Sequence, residues 1–519
     1  MPLDVPSHSL ALPDGVDPQA LVSFLGDRFD VVVEPVTSVS YTVVDTADRR
    51  LRGAGADLTV DGGRSGPTLV LREQVGAAPL SADAGRRKRW LIGDLPEGAL
   101  RDRLAPIVEM RALLPLARVQ ADVQALSVRN RDAKTVVRLR LATHAALVTG
   151  ADPVPLSPRL EVTGVLGYPK PLARLLGVLS TEVGLVDAPG SMADEAIAAS
   201  GGDPEGIRTK VRVALRPDQR TDKAALAVLR DLAGMVEANL PGTLDDLDTE
   251  FLHDLRVAVR RSRSVLRELA GAFPPDELKV QRDALKWVQT ATGPTRDLDV
   301  QLLDWDHLLA EVPAARHGAL TPVRTLLDRH RAAALRALRR DLRSAAYRDA
   351  WRSYRGFLRG GLGPARDRPD AKRPIVEVAG RRVRKVYARM VDMGSAIDEA
   401  SPAAALHDLR KRGKELRYLL ELFGALWPSD VVKPMVRTLK GLQDVLGTHQ
   451  DREVQADHLR ALAGELAGQA GGPDALLALG VLVDQLDAEQ RAARAGFAER
   501  FGAFAARDQR KLVTGTFRS

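Results

Sequence analysis

Two rhythms of apolar and polar positions divide this chain. In the N-terminal part, short runs rich in Val and Thr recur at Val31–Val33, Val39–Val44, Thr68–Leu71, Leu116–Leu126, Val136–Ala142 and Arg159–Thr163. Turn signals such as Asp61-Gly62-Gly63 separate them, which predicts strands. Helical patterns stand at Asp17–Leu25 and Pro169–Val183. Together they predict an α+β, barrel-like domain over residues 1–200. Asp187–Asp203, with Pro189-Gly190 and Gly201-Gly202, reads as a linker or an excursion between domains. From Thr221 onward the strand signals vanish. Apolar residues three and four apart predict helices at Lys223–Leu240, Leu252–Leu269, Leu320–Leu342, Val376–Val391, Leu406–Leu426, Val431–Leu446 and Val454–Leu466. The expectation is an all-α domain over residues 216–510, with Gly360–Pro374, rich in Gly, Pro and charge, as a loop near its middle.

The helical part repeats itself. His253-Asp254-Leu255-Arg256 recurs 154 residues later as His407-Asp408-Leu409-Arg410. At the same spacing Leu285-Lys286 matches Leu439-Lys440, Gln289 matches Gln443, Gly293 matches Gly447, Asp297 matches Asp451 and Val300 matches Val454. A register kept without a gap predicts a duplicated unit, residues 216–350 and 375–510, forming two pseudo-symmetric helical bundles.

Composition narrows the picture. The 519 residues are 45% hydrophobic and 28% charged, which excludes a largely disordered or collagen-like chain and calls for two or three domains. Apolar runs such as Leu419–Leu422 stop far short of the roughly 20 residues a membrane-spanning helix needs. Met1–Leu12 carries Pro2, Asp4 and Pro6 and no basic n-region, so no secretory signal is expected. The absence of cysteine excludes disulfides, thiolate catalysis and Cys-ligated metal centres. A soluble cytoplasmic protein without a membrane partner is the expectation. Residues 1–215 hold 25 basic and 26 acidic side chains, whereas residues 216–519 hold 51 and 42, so the net charge of +8 arises in the helical part. Such a module suits a polyanion: nucleic acid, anionic lipid or a phosphate polymer. The Arg-rich composition of a GC-rich genome is the plainer alternative.

On a helical wheel with His253 at zero, Arg256, Arg260 and Arg263 fall at about 300°, 340° and 280°. Leu252, Leu255, Val259 and Leu266 occupy the adjoining face. The second copy repeats the stripe as His407, Arg410, Lys414 and Arg417, with Lys411 and Tyr418 beside it and Leu406, Leu409, Leu416 and Leu420 as its apolar side. Like charges four residues apart cost roughly 0.2–0.5 kcal/mol per pair, and partial burial adds to that unless an anion compensates. One reading is a solvated face bridged to Asp297, Asp299, Asp451 and Glu453. The other is an anion-binding surface, favoured because His, Arg, Arg/Lys and Arg persist in both copies while Val257 becomes Lys411 and Arg261 becomes Glu415. Aromatic residues are scarce beside the stripes, Tyr418 excepted, which disfavours nucleic acid and favours a polyanion without bases. Lys286, Arg296 and Lys440 widen the candidate track, as do Arg381, Arg382, Arg384 and Lys385. His-x-x-Arg has no metal-ligand spacing, so each histidine is expected to donate to an anion rather than to ligate a metal.

These residues resemble a known family. His253-x-x-Arg256-x-x-x-Arg260-x-x-Arg263 and His407-x-x-Arg410-x-x-x-Lys414-x-x-Arg417-Tyr418 look like the paired signatures of the CHAD domain (conserved histidine α-helical domain). Leu285-Lys286-x-x-Gln289, Gly293-Pro294 and Arg296-Asp297-x-Asp299-Val300 resemble its second motif. The resemblance implies binding of inorganic polyphosphate by the basic residues, on polyphosphate granules, with no cofactor and no catalysis. The N-terminal part resembles a degenerate CYTH domain, a triphosphate-tunnel barrel, through Tyr41-Thr42-Val43-Val44-Asp45-Thr46 and Leu160-Glu161-Val162. It departs where Val5, Ser7 and Ser9 replace the opening acidic motif, Thr59 and Asp61 replace tunnel arginines, and Thr163 replaces a late carboxylate. These departures imply lost triphosphatase activity, with Arg72, Arg138 and Arg140 as remaining strand cations. A metal-dependent tripolyphosphatase and an RNA-binding scaffold are the alternatives.

Overall fold

A computed structural model describes residues 7–13, 15–63, 66–73, 79–310, 312–360 and 367–518, divided into two compact units with bounds Met1–Thr209 and Lys210–Ser519. Pro2, Asp4, Val5 and Pro6 lie outside the described residues, as does 361–366 of the segment expected to be a loop.

Unit one is built from β1 (Ser7–Ala11), α1 (Pro18–Arg28), β2 (Asp30–Val33), β3 (Thr37–Thr46), α2 (Arg50–Gly53), β4 (Ala56–Gly63), β5 (Gly66–Glu73), β6 (Leu80–Asp83), α3 (Ala99–Val108), β7 (Leu113–Arg129), β8 (Thr135–Leu147), β9 (Val154–Gly164), α4 (Pro169–Val178), β10 (Val186–Asp187) and α5 (Met192–Ala199). The strands form one antiparallel sheet in the order β10-β1-β9-β8-β7-β3-β4-β5-β6, with β2 also on β7. Its two ends are not paired with each other among the described residues. Alternation along the strands sorts the two faces. Leu126, Leu139, Leu141, Leu160 and Val162 pack with Leu21 and Leu25 of α1 and Leu172 and Leu175 of α4. Leu58, Leu69 and Leu71 pack with Leu100 and Leu104 of α3. The opposite face carries the polar residues: Arg140 stands across from Glu161, Arg138 from Thr163, Tyr41 from Asp61 and Asp57 from Arg72.

The segment Asp187–Asp203 is not a linker. It holds the end of β10 and helix α5, whose Ser191 caps Asp194 N–H and whose Ala196 and Ile197 bury against Val43, Val119 and Ala146. Eight residues between two Gly-containing turns, half of them alanine, carry too little periodicity to announce a helix.

Unit two is helical: α6 (Thr221–Asp245), α7 (Thr249–Glu268), α8 (Pro275–Ala291), α9 (Gly293–Leu303), α10 (Trp305–Ala310), α11 (Thr321–Leu342), α12 (Ala345–Arg359), α13 (Ile375–Ser395), α14 (Ala403–Phe423), α15 (Ser429–Ala467), α16 (Gly472–Ala495), α17 (Phe497–Phe504) and α18 (Arg507–Thr516). The starts of α6, α7 and α8 recur 154 residues later as those of α13, α14 and α15. The stretches Val431–Leu446 and Val454–Leu466, expected as two helices, are one helix, α15. The first copy breaks at the matching place because Pro294 has no N–H to give the carbonyl of Thr290, whereas Thr448 in the second copy does. Two hydrophobic cores result. One gathers α6–α8, the end of α11 and α12 with α13, α14, the first half of α15, α17 and α18; the other gathers α9, α10 and the start of α11 with the rest of α15 and α16. Both copies therefore contribute to both cores.

Candidate functional site

Helix α7 begins where Asp248 accepts hydrogen bonds from the N–H groups of Glu250 and Phe251, 2.9 and 3.1 Å away. Leu252, Leu255, Val259 and Leu266 are buried beneath it, as Leu406, Leu409, Leu416 and Leu420 are beneath α14. The cation row of each helix borders this buried face. His253, Arg256, Arg260, Arg263, His407, Arg410, Lys414 and Tyr418 are half-buried, while Lys411 and Arg417 are exposed.

Two ion pairs define how the rows meet. Arg261 of α7 reaches Glu421 of α14 at 2.6 Å, and Arg267 of α7 reaches Glu415 of α14 at 3.2 Å. In the repeat Arg261 corresponds to Glu415 and Arg267 to Glu421. Each pair is thus the other's image: residue i meets j′ while j meets i′, the mark of a two-fold relation. The earlier position of one helix meets the later position of the other, so the C-terminal halves of α7 and α14 cross antiparallel, centred between Ser264 and Tyr418. The change from Arg261 to Glu415 is a charge swap that lets the two copies clasp.

The rows differ in what their cations touch. Arg256 donates to the carbonyl of Gln289 at 2.8 Å and to Thr292 Oγ1 at 2.7 Å, both uncharged. Burial pushes its guanidinium down to about 10, against the opposing pull of nearby Asp297. Arg260 keeps a buried Nε without a hydrogen-bond partner among the described residues. Arg263 has Arg267 and Arg282 as its charged neighbours, and burial followed by these two cations lowers its pKa. Lys414 is pushed down to about 8 by burial, then by Arg410 and Arg260, with Asp451 pulling the other way. Because Arg260 belongs to the first row and Lys414 to the second, the rows share one electrostatic field. Elsewhere the second row is partly satisfied: Arg410 meets Asp451 at 2.8 Å, Arg417 meets Glu421 at 2.6 Å and Lys411 meets Asp408 at 3.0 Å. His407 Nδ1 donates to Gln450 Oε1, an orientation set by Gln450 Nε2 donating to Glu453. Its Nε2 then has a proton to donate only as imidazolium.

Of the wider set, Lys286 and Lys440 are exposed on α8 and α15. Arg296 donates to the Thr249 carbonyl at 3.2 Å, with Glu250 4.0 Å away, and so braces the start of α7. Arg381 is bonded to Asp370, Arg382 to Glu268 and Arg384 to the Phe517 carbonyl. Sequence reasoning passed over Gln289 and Gln443 as site residues. They lie on α8 and α15, and both leave buried amide atoms unpartnered: Oε1 of Gln289, and Oε1 and Nε2 of Gln443. Their match across the repeat was the available signal.

The polar face of unit one is arranged differently. Arg72 bonds Asp61 at 3.1 Å and Thr59 at 2.9 Å, Arg140 bonds Glu161 at 3.1 Å, and Arg159 bonds Glu195 of α5 at 3.0 Å. Ser7 and Ser9 stand across from Thr163 and Glu161, placing hydroxyls where the tunnel resemblance calls for carboxylates. Burial, then Arg140, pushes His144 down to about 4.

The class this defines is a sheet-rich domain followed by a duplicated helical domain with a cationic seam between its copies. Residues 227–460, which contain every residue of both rows, match the family model of the CHAD domain. Uncharacterized proteins from two strains of Mycobacterium tuberculosis are 31% identical over 233 residues, 42% of this chain and 42% of each relative. The match thus spans less than half the length of those relatives. Among solved structures, the CHAD domain from the plant Ricinus communis is 23% identical, covering 57% of this chain and 96% of that one with a TM-score of 0.49. A Hippeastrum protein, HpAC1, whose description states a dominant triphosphatase activity, is 17% identical over 38% of this chain and 97% of its own, with a TM-score of 0.26. No helix among the described residues is long and apolar enough to cross a membrane.

Proposed function

We propose that the helical unit binds inorganic polyphosphate along the α7 and α14 rows, that neither unit catalyses its turnover, and that this binding holds the protein at polyphosphate granules in the cytoplasm. One observation carries the reading: Arg256, Arg260, Arg263 and Lys414 are held half-buried with no carboxylate hydrogen-bonded to them among the described residues. Charge kept there without compensation is a cost to the free protein. Linked phosphates remove it, through paired contacts to Arg forks and point contact to Lys. A pseudo-two-fold seam also suits a chain that is the same read from either end, as polyphosphate is and a nucleic acid strand is not. The match of residues 227–460 to the CHAD domain supports the same ligand. In unit one, serine and threonine stand where the CYTH resemblance calls for carboxylates, and Arg140 and Glu161 bond each other.

The test is retention of the full chain on immobilised polyphosphate. Combining Arg256→Glu, Arg260→Glu, Arg410→Glu and Lys414→Glu should weaken binding by at least about 100-fold, since hydrogen bonds to charged groups are worth about 1.5–3 kcal/mol each. Unchanged retention overturns the assignment. Phosphate release in magnesium or manganese that is abolished by Glu161→Ala would overturn the non-catalytic part.

A further inference from the structure

We infer that helix α12, with the neighbouring edge of α8, forms a second site away from the seam, and that its ligand is single-stranded nucleic acid.

On α12, Arg348, Arg352, Arg355 and Arg359 follow one another at spacings of four, three and four residues. They therefore fall within about 60° of one another on a helical wheel, while Tyr347, Tyr354, Phe357 and Leu358 form the buried side. The middle two are compensated: Arg352 meets Asp349 at 2.7 Å and Arg355 meets Glu237 of α6 at 3.3 Å. The end residues are not. Arg348 donates to the carbonyl of Arg343 at 2.6 Å, and neither it nor Arg359 has a bonded carboxylate among the described residues.

A row of rings accompanies this line. Trp287 of α8 lies 6.3 Å from Tyr347, and Tyr347 stacks on Trp351 at 6.1 Å with 13° between the rings. Trp351 is held by its Nε1–H, which donates to Glu237 at 2.9 Å, and it remains half-exposed. Trp287 is 37% exposed, a costly surface for so large a ring. It stands about 160° round α8 from Gln289, whose carbonyl takes a hydrogen bond from the seam's Arg256.

The second copy lacks every one of these residues. At the spacing of the repeat, Trp287 and Trp351 become Gly441 and Ala505, and the four arginines become Gly502, Ala506, Gln509 and Val513. The patch thus belongs to one copy alone, and the duplicated seam does not account for it. Its chemistry selects the ligand. Cations in line hold backbone phosphates, and ring faces stack bases with little regard to sequence. A phosphate polymer has no bases to offer the tryptophans. A membrane would need the apolar side of α12, which is already spent in the core. From Arg348 to Arg359 the line runs about 16 Å, the span of roughly five phosphates along one stacked strand.

The experiment titrates the full chain with a labelled single-stranded RNA of about 12 nucleotides and with polyphosphate of similar length. Trp287→Ala should weaken the RNA at least about fivefold, and Trp287→Phe should restore most of it. Both variants should leave polyphosphate affinity within about twofold, as sites without shared contacts behave independently. Arg348→Gln with Arg359→Gln should lower the slope of log RNA affinity against log salt by about 1.4, two phosphate contacts being lost. Annealing the RNA to its complement should weaken it by at least about fivefold, since paired bases no longer stack on rings. Arg256→Glu with Arg260→Glu, on the seam, should lose polyphosphate and keep the RNA. The inference is overturned if the wild type binds no RNA, if Trp287→Ala is without effect, if duplex binds as well as single strand, or if the seam variant loses the RNA too.

Discussion

Cations line two surfaces of this protein, and the surfaces differ in what stands next to the charge. On the sheet face of unit one, Arg72, Arg140 and Arg159 each hold a carboxylate at 3.0–3.1 Å. On the seam of unit two, Arg256, Arg260, Arg263 and Lys414 lie half-buried without one among the described residues, and burial pushes the pKa values of Arg256, Arg263 and Lys414 down. An exposed ion pair is nearly neutral in free energy, so the sheet face gains little from Arg72 and Arg140, while Arg159 is buried against Glu195, and none of the three is left for a ligand. The seam carries a standing electrostatic cost that both copies retain. Positive charge alone therefore does not mark a site; charge left uncompensated by the fold does.

The sharpest way to break this comparison uses neighbouring residues on one helix. Arg261 and Arg267 are paired across the seam with Glu421 and the buried Glu415, so they belong with the compensated set. Reversing both to Glu sets like charges against each other and should lower unfolding free energy by about 2–4 kcal/mol. Adding Glu415→Arg and Glu421→Arg should recover most of the loss, because the swap restores the same two contacts in mirror image. Arg260→Gln, one residue away, should leave the denaturation midpoint unchanged or higher while weakening polyphosphate binding. Equal destabilisation by Arg260→Gln and the Arg261/Arg267 pair would erase the distinction.

A second prediction, smaller in size, concerns pH. Lys414 faces Arg410 and Arg417 on its own helix, Arg260 on α7 and Asp451 on α15, and together with burial they bring it down to about 8. A bound polyanion favours the charged amine and raises its pKa, so binding above pH 8 takes up a proton. Affinity is then full below pH 8 and about tenfold weaker at pH 9 than at pH 7. Lys414→Arg should flatten this profile, since guanidinium stays charged throughout. A slope that persists in Lys414→Arg would show that another group titrates.

Much of this was legible in the amino-acid pattern, and what was not has a physical reason. The long strands β7 and β8 and the helices α6, α7, α11, α13 and α14 announced themselves because each buries one face at a constant period. Strand β1, Ser-His-Ser-Leu-Ala, is mostly polar and short; α3 carries Pro106 and three charged residues; α5 sits between glycine turns. None has enough periodicity to stand out. The rows were visible because a helical wheel needs only one helix. Their partners were not, since pairing is a tertiary property: Arg261 becoming Glu415 looked like drift until the crossing of α7 and α14 made it a contact. The fusion of two expected helices into α15 turned on a single difference, Pro294 against Thr448.

The finest distinction lies within the seam, between equivalent arginines. Arg410 is bonded to Asp451, which is more than half exposed, while Arg256 leans on neutral oxygens, with the matching Asp297 acting only at a distance. Neutralising the acid in Asp451→Asn releases Arg410 to a ligand. An exposed pair of this kind is worth about 0.2–1 kcal/mol, so polyphosphate affinity should rise about threefold, and stability should fall by no more than that same amount. Because Asp451 also pulls the Lys414 pKa upward, its loss should move the pH midpoint of binding to lower pH. Both effects should shrink with added salt, since the acid and the row are solvent-screened. A fall in affinity instead would mean that Asp451 holds Arg410 in the pose that grips phosphate, and Arg410 would then join the compensated cations as a braced ligand rather than a competed one.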